Sequence, residues 1–298
     1  MIDMSTRATD AAPPAIAVHE ARPADNQESR SGQVRAALGT VIDPELDESI
    51  LDLGFVTGVE ITGRGVAIRL RLPTAFCSPN FAYLMVSDAY DALSGLPWVT
   101  GVQVTLEDHH DADRINRGVA AGLGFAGTYP LETTEGLDAL RRIFRVKAHT
   151  AFVERVCEIM LRGSEWELAD LGRLRIADLP VGRPREGLCR RRSDLGLSCR
   201  PDDLVMVDAD GKLWAAEQIP LKLRFAKAVR ISIDGNAHFC RGLLRTRYPE
   251  SAGDQRARGH ESLGTDLGLP AMPGPATSSS PATSSSTDLI HIASGSSS

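Results

Sequence analysis

No apolar run in this 298-residue chain approaches the ~20 residues that a membrane-crossing helix requires. The N-terminus also lacks a basic stretch followed by a long apolar one, so neither a membrane protein nor an exported one is expected. Basic residues are short too. There are 33 Lys and Arg against 39 Asp and Glu, a formal net charge of -6 and a pI near 5.7, which is the wrong balance for neutralising nucleic-acid phosphates. Cysteine is sparse. Its five residues form an odd set without tight pairs, which points to a reduced, cytoplasmic protein rather than a disulfide framework. The chain has no Walker phosphate loop and no Gly-x-Ser-x-Gly nucleophile elbow. Gly122-Leu123-Gly124-Phe125-Ala126-Gly127 lacks the spacing and the strand-to-helix setting of a dinucleotide fingerprint. No segment recurs at a fixed period, which excludes a repeat array.

What is present sits between two ends expected to be disordered. Residues 1–30 mix Ala, Pro, Asp, Glu and Arg without apolar periodicity, and residues 251–298 drift into Gly, Pro and Ser-Thr runs. Within 31–128, Val34, Ala37, Leu38 and Val41 follow helical spacing up to Asp43-Pro44. Phe55–Ile61 and Val66–Leu72 are β-rich runs on either side of Thr62-Gly63-Arg64-Gly65, a hairpin pattern. Ser78-Pro79 opens a second helix whose stripe is Phe81, Leu84, Met85, Ala89, Ala92 and Leu93. Val99, Val102, Val104 and Leu106 supply a third strand, with a bulge expected near Gly101. The fold class is α+β: a small mixed three-stranded sheet in the order helix, strand, strand, helix, strand.

Residues 129–250 read as an appended α/β extension. Leu137, Leu140, Phe144, Ala148, Ala151, Val156 and Met160 give a long amphipathic helix. Leu204–Val207, a turn at Asp208–Gly211 and Val229–Ile233 suggest a few strands after it.

Cys77 is the most informative position for chemistry. It follows a strictly alternating strand and directly precedes the Ser78-Pro79 helix start. Unsatisfied N–H groups and the positive end of the helix dipole favour an anion there, so this thiol is expected to ionise readily, bind metal and attack sulfur. The same place equally suits a small buried residue filling a turn. Asp43, Glu45, Asp47 and Glu48 form an acidic cluster that can ligate a hard metal or orient a proton, or can simply cap a short turn opened by Pro44.

Val41-Ile42-Asp43-Pro44-Glu45-Leu46, then Ile50-Leu51-Asp52-Leu53-Gly54-Phe55-Val56, the alternating strand, and Thr74 with Cys77 and Pro79 resemble the metal-sulfur cluster assembly domain family that includes SufT and PaaD proteins. The resemblance covers about 31–128. It implies a compact α+β domain that takes part in iron-sulfur protein maturation, as an assembly factor rather than an enzyme in the strict sense. It places the working thiol on Cys77, with Asp43, Glu45, Asp52, Thr74 and Ser78 in support. It also implies a transient iron or iron-sulfur cargo, a client metalloenzyme and upstream scaffold proteins as partners. Two features depart from the family: Ser78 stands between the cysteine and Pro79, and the chain continues well past the third strand. Long versions of this kind resemble those associated with actinobacterial soluble di-iron hydrocarbon monooxygenases, with the extension as a docking surface.

Further candidates lie outside those motifs. In Glu107–Asp113, His109 and His110 are ligand types of zinc or iron sites, or bases for a thiol enzyme built on Cys77. In a strand they would face opposite ways, so a polar loop leaving the sheet is expected. Cys189, Cys199, His238 and Cys240 offer four ligands for a structural zinc, with His238 and Cys240 on one side of a strand, or they are separate thiols. The run Arg190-Arg191-Arg192 reads as a solvated loop. One cysteine with a few carboxylates does not make a four-thiolate cage. A stable cluster would therefore need a second copy of the chain, a partner or the cysteines of the extension.

Overall fold

The computed structural model describes residues 23–133, 136–163 and 165–249, with side chains from 27 onward. The tail expected over 251–298 and most of the disordered segment expected at the N-terminus lie outside these residues. No helix among them is long and apolar enough to cross a membrane.

The first helix, α1, spans Pro23–Gly39, so helix already occupies part of the stretch assigned to the disordered end. Its apolar anchors, Val34 and Leu38, are fully buried. A two-residue ladder follows, β1 (Ile42–Asp43) pairing antiparallel with β2 (Glu48–Ser49). The sheet proper contains β3 (Val56–Thr62), β4 (Gly65–Arg71) and β5 (Gly101–Glu107), with β4 in the centre. β3 and β4 are antiparallel across the expected hairpin, and β4 and β5 are parallel, so the chain must cross over between them. Helix α2 (Pro79–Ser94) makes that crossover. Val66, Ile68 and Leu70 alternate onto the face of β4 that α2 covers with Ala82, Met85, Val86, Ala89 and Leu93. Each large apolar side chain withdrawn from water there contributes roughly 2 kcal/mol.

The irregularity of the sheet falls in β3, between Val56 and Gly58, while β5 runs in unbroken register from Gly101; the bulge expected near Gly101 is corrected accordingly. β3, like β5, is an edge strand of this sheet. Helices α3 (Ala112–Ala120) and α4 (Gly124–Thr128) close the domain. They approach so closely that a Cβ on Gly118 would fall 2.1 Å from Thr128 Oγ1.

The extension is helical. It consists of α5 (Asp138–Arg162), α6 (Arg183–Asp194), α7 (Ile219–Arg247) and three short 3₁₀ turns. Leu204 and Val207 make only isolated bridges, to Arg175 and Leu213. Val229–Ile233, expected as a strand, lies inside α7. β-branching gave these residues their strand propensity, but tertiary contacts override it. Arg230 pairs with Glu154 and Glu158 of α5 and with Asp234 one turn along its own helix. Two cores result. One surrounds the sheet, and the other gathers Val153, Val156, Cys157, Leu171, Leu188 and Met206. α7 belongs to both, with Ile219 in the second core and Ala237 and Leu244 in the first.

Candidate functional site

The site forms where β4 hands over to α2. Leu72 and Pro73 are buried past the strand end, and Thr74–Ser78 then make a loop at the helix N-terminus. Thr74 organises this loop: Oγ1 accepts the Phe76 N–H at 3.2 Å and donates to Cys77 Sγ at 3.6 Å. Ser78 holds the N-cap position, but its hydroxyl makes no capping bond. The carbonyl of Ser78 accepts the N–H groups of Phe81 and Ala82, the ordinary opening bonds of the helix, and the expected side-chain cap is absent. Cys77 is partly buried, and its neighbour Phe76 is 81% exposed.

The loop after β5 pins the cysteine loop from the other side. Asp108, at φ 52°, ends the strand and turns His109 and His110 back toward residues 75–77. His109 Nδ1 accepts the Asp111 N–H at 3.1 Å, so the ring proton resides on Nε2, which donates to the Cys77 carbonyl at 2.8 Å. His109 is buried, and desolvation holds its imidazole below the ordinary value, which keeps it neutral. The Ala75 carbonyl accepts from both the backbone N–H (3.0 Å) and Nδ1 (2.9 Å) of His110, whose ring stacks on Phe76. The expected polar loop is therefore present, and its histidines grip backbone. Both ring nitrogens of His109 are occupied away from Cys77 Sγ, so it is not placed as a base for that sulfur.

The β1–β2 turn supplies the acidic wall. Asp43 Oδ1 accepts the N–H groups of Glu45 and Leu46, each at 2.9 Å. Burial raises the Asp43 carboxyl to about 6, against the lowering effect of those two donors. Ser49 Oγ accepts the N–H groups of Leu51 and Asp52 and leads into Gly54, whose φ of 77° favours glycine. The Asp-Leu-Gly stretch is thus a turn that delivers Phe55 to the core. Asp52 is exposed and does not line the cleft, which corrects its expected supporting place.

Asp43, Glu45, Cys77, Ser78, Phe81 and Cys240 line a cleft of about 130 Å³ floored by Leu46, Phe55, Leu72 and Met85. Cys240 comes from α7, far along the chain. The expected zinc set is broken up by this arrangement. Cys189 and Cys199 form a disulfide, so neither is a free thiolate, and the expectation of five reduced cysteines is corrected. His238 and Cys240 are on a helix rather than a strand, with His238 exposed and Cys240 turned to the cleft. Among the described residues no group of three or more His, Cys, Asp or Glu is arranged to hold a metal ion.

The arginine run is also not a solvated loop. Arg191 and Arg192 are buried on α6. Arg191 Nε and Nη2 reach Asp47 Oδ2 at 2.6 and 2.5 Å, and Arg190 reaches Oδ1 at 3.3 Å, so the extension grips the acidic turn itself. Arg192 donates to the carbonyls of Ser198, Leu204 and Val205.

Comparison with known proteins finds similarities that fall on the first domain. A crystal structure of a domain of unknown function, DUF59, from Bacillus anthracis is 28% identical, covering 34% of this chain and 98% of that one with a TM-score of 0.26. An uncharacterized protein of Methanocaldococcus jannaschii is 36% identical over 74 residues, which are 24% of this chain and 76% of that protein. The family model described as iron-sulfur cluster assembly protein matches residues 32–105. Through those residues the chain belongs to the iron-sulfur cluster assembly protein family. His109, His110 and the whole of α7 lie beyond the matched segment.

Proposed function

We propose that the protein is an accessory factor that assembles or inserts iron-sulfur or other iron centres into a client metalloenzyme, with Cys77 as its working thiolate. The observation that carries this reading is the placement of Cys77. Cys77 lines a cleft at a helix N-terminus, its sulfur accepts the Thr74 hydroxyl, and its backbone is held by His109. A thiolate in a fixed loop beside carboxylates can take iron or the edge of a cluster without enclosing it. Asp43 and Glu45 shape the opposite wall. Phe76 gives a partner protein an apolar contact next in sequence to the sulfur.

The resemblance of the long chain to versions that accompany soluble di-iron hydrocarbon monooxygenases supports such an enzyme as the client. The extension then recognises the client while a scaffold protein delivers the cargo. Its attachment to the acidic turn through Arg191 and Asp47 supports a site and a docking surface that act as one body.

The test is cluster transfer. The full chain, charged anaerobically with ferrous iron and sulfide, is mixed with an apo-ferredoxin, and acceptor holo-protein is followed by visible circular dichroism. Cys77→Ala, with unchanged helix content, is expected to lose transfer. Transfer at the wild-type rate overturns the reading.

A further inference from the structure

Cys240 lines the cleft on which Cys77 opens, although it comes from the part of the chain that the family match leaves out. Its orientation is fixed by its neighbours on α7. Ala237 and Leu244, on the same helical face, are buried in the core that surrounds the sheet, so this face of the helix points inward. One turn before Cys240, Asn236 Nδ2 donates to Glu45 Oε1 at 3.4 Å. The next residue, Arg241, pairs with the carboxylate of Glu48. Two turns on, Arg247 donates to the carbonyls of Leu72 and Asp108, at 3.3 and 2.6 Å, and the Tyr248 hydroxyl donates to Asp108 Oδ2 at 3.0 Å. α7 is thereby tied to the acidic turn on one side of the cleft and to the strand ends that carry Cys77 and His109 on the other. The Cys240 thiol is pushed up to about 11, by burial first and then by the nearby negative charges of Asp43, Cys77 and Glu45.

We propose that Cys240 is the second thiol of the site, and that Cys77 and Cys240 together clasp a thiophilic cargo, an iron ion or one edge of an iron-sulfur cluster. This rests on the reading of Cys77 as the cargo thiol and deepens it, because the extension then supplies a ligand as well as a docking surface. Each thiol releases one proton as its sulfur-metal bond forms, and no electron changes hands, so the step needs no oxidant. Two thiolates fill half of the four cysteine positions of a common cluster, leaving the others to the protein that delivers the cargo or receives it. A half-open clasp of that kind suits transfer better than storage.

Phenylarsine oxide, a trivalent arsenical that bridges two thiols in one site, tests the pairing without iron. The full chain, kept free of reductant so that the Cys189–Cys199 disulfide persists, is treated with one equivalent, alkylated and mapped by peptide mass. The expected result is protection of Cys77 and Cys240 together, lost from each when the other is replaced (Cys77→Ser, Cys240→Ser). Alkylation of both at the rate of the untreated protein overturns the pairing, and because the wild-type chain is read, this outcome does not depend on the folding of a variant. Protection of the pair together with normal cluster transfer by Cys77→Ala overturns the proposed function and leaves the pairing standing. Lost transfer in Cys77→Ala without protection does the reverse.

Discussion

His109 holds the carbonyl of Cys77 with its Nε2–H at 2.8 Å while its Nδ1 accepts the Asp111 N–H, and it makes both bonds together only while neutral. Protonation at Nδ1 would put two hydrogens face to face and break that second bond. Burial places the folded imidazole below its ordinary value of 6.5. The unfolded chain therefore takes up the proton first as pH falls, and stability due to His109 is present above about 6.5 and declines below it. Replacing His109 by alanine also leaves a part-buried carbonyl without its partner, at a cost of about 1 kcal/mol. The expected outcome for His109→Ala is a lower urea midpoint at pH 8 and faster alkylation of Cys77, with less loss of stability than wild type on acidification from pH 7 to 5. A wild-type alkylation rate in the variant would show that His109 does not hold the cysteine loop.

Asp43 has the opposite sign. Its carboxyl is raised from 3.8 to about 6, mainly by burial, so ionisation penalises the folded state above pH 6, and the penalty is relieved as pH falls from 6 toward 3.8. Asparagine keeps an oxygen for the N–H groups of Glu45 and Leu46 and removes the buried charge. Asp43→Asn is expected to raise the melting temperature at pH 8, by an amount equivalent to about 1–3 kcal/mol, with the gain shrinking to nothing near pH 4. Thermal melts of both proteins across that range check it. A gain independent of pH would mean that burial of the charge is not its cause.

Local pattern made the first domain legible. The alternation of Val66, Ile68 and Leu70, the glycine-bearing hairpin turn and the Ser78-Pro79 helix start each depend on residues close in sequence, and they place Cys77 at a strand-to-helix junction without any tertiary information. The second wall of its cleft has no local signature. Cys240 is meaningful only because Arg241 and Arg247 anchor α7 to groups near residues 48, 72 and 108. From spacing alone Cys240 grouped instead with Cys189 and Cys199. Val229, Ile231 and Ile233 have the composition of a strand, and only the ion pairs of Arg230 with α5 show why they are helical. The charged run at Arg190–Arg192 misled for a related reason. Arginine is seldom buried unless paired, and the pairing carboxylate, Asp47, is distant in the chain.

That Asp47–Arg191 contact joins the family domain to the extension in a poorly solvated place, with the two side chains only 12% and 9% exposed. Removing one partner from such a pair strands the other charge, which typically costs about 3–5 kcal/mol, whereas removing both is far milder. Asp47→Asn retains a residue type tolerant of the φ of 53° while deleting the charge. It is expected to lower the urea midpoint sharply, Arg191→Met to do so less because Arg190 still reaches Asp47 Oδ1, and the double variant to cost less than the sum of the two. Additive losses in the double variant would show that the two side chains do not act as a pair.

The five cysteines separate into three physical states, and a thiol count can read all of them. Cys189 and Cys199 are bonded to each other. Cys157 is buried beside Met206 Sδ at 3.5 Å, and burial pushes its thiol up to about 12, so reagents in water reach it only when the chain opens. Cys77 and Cys240 are partly buried at the cleft. Titration with a chromogenic disulfide reagent is therefore expected to find two thiols in the native oxidised chain, three after denaturation without reductant and five after reduction. The two native thiols should not react alike. Cys240 is held protonated by burial and by the negative charges around it, so its rate should lag at pH 8 and climb steeply toward pH 11, while Cys240→Ser should abolish that slow phase and leave the other. Five reactive thiols in the denatured, unreduced chain would show that Cys189 and Cys199 are not joined. A single uniform native rate, unchanged by pH over that interval, would show that Cys240 does not sit among those charges.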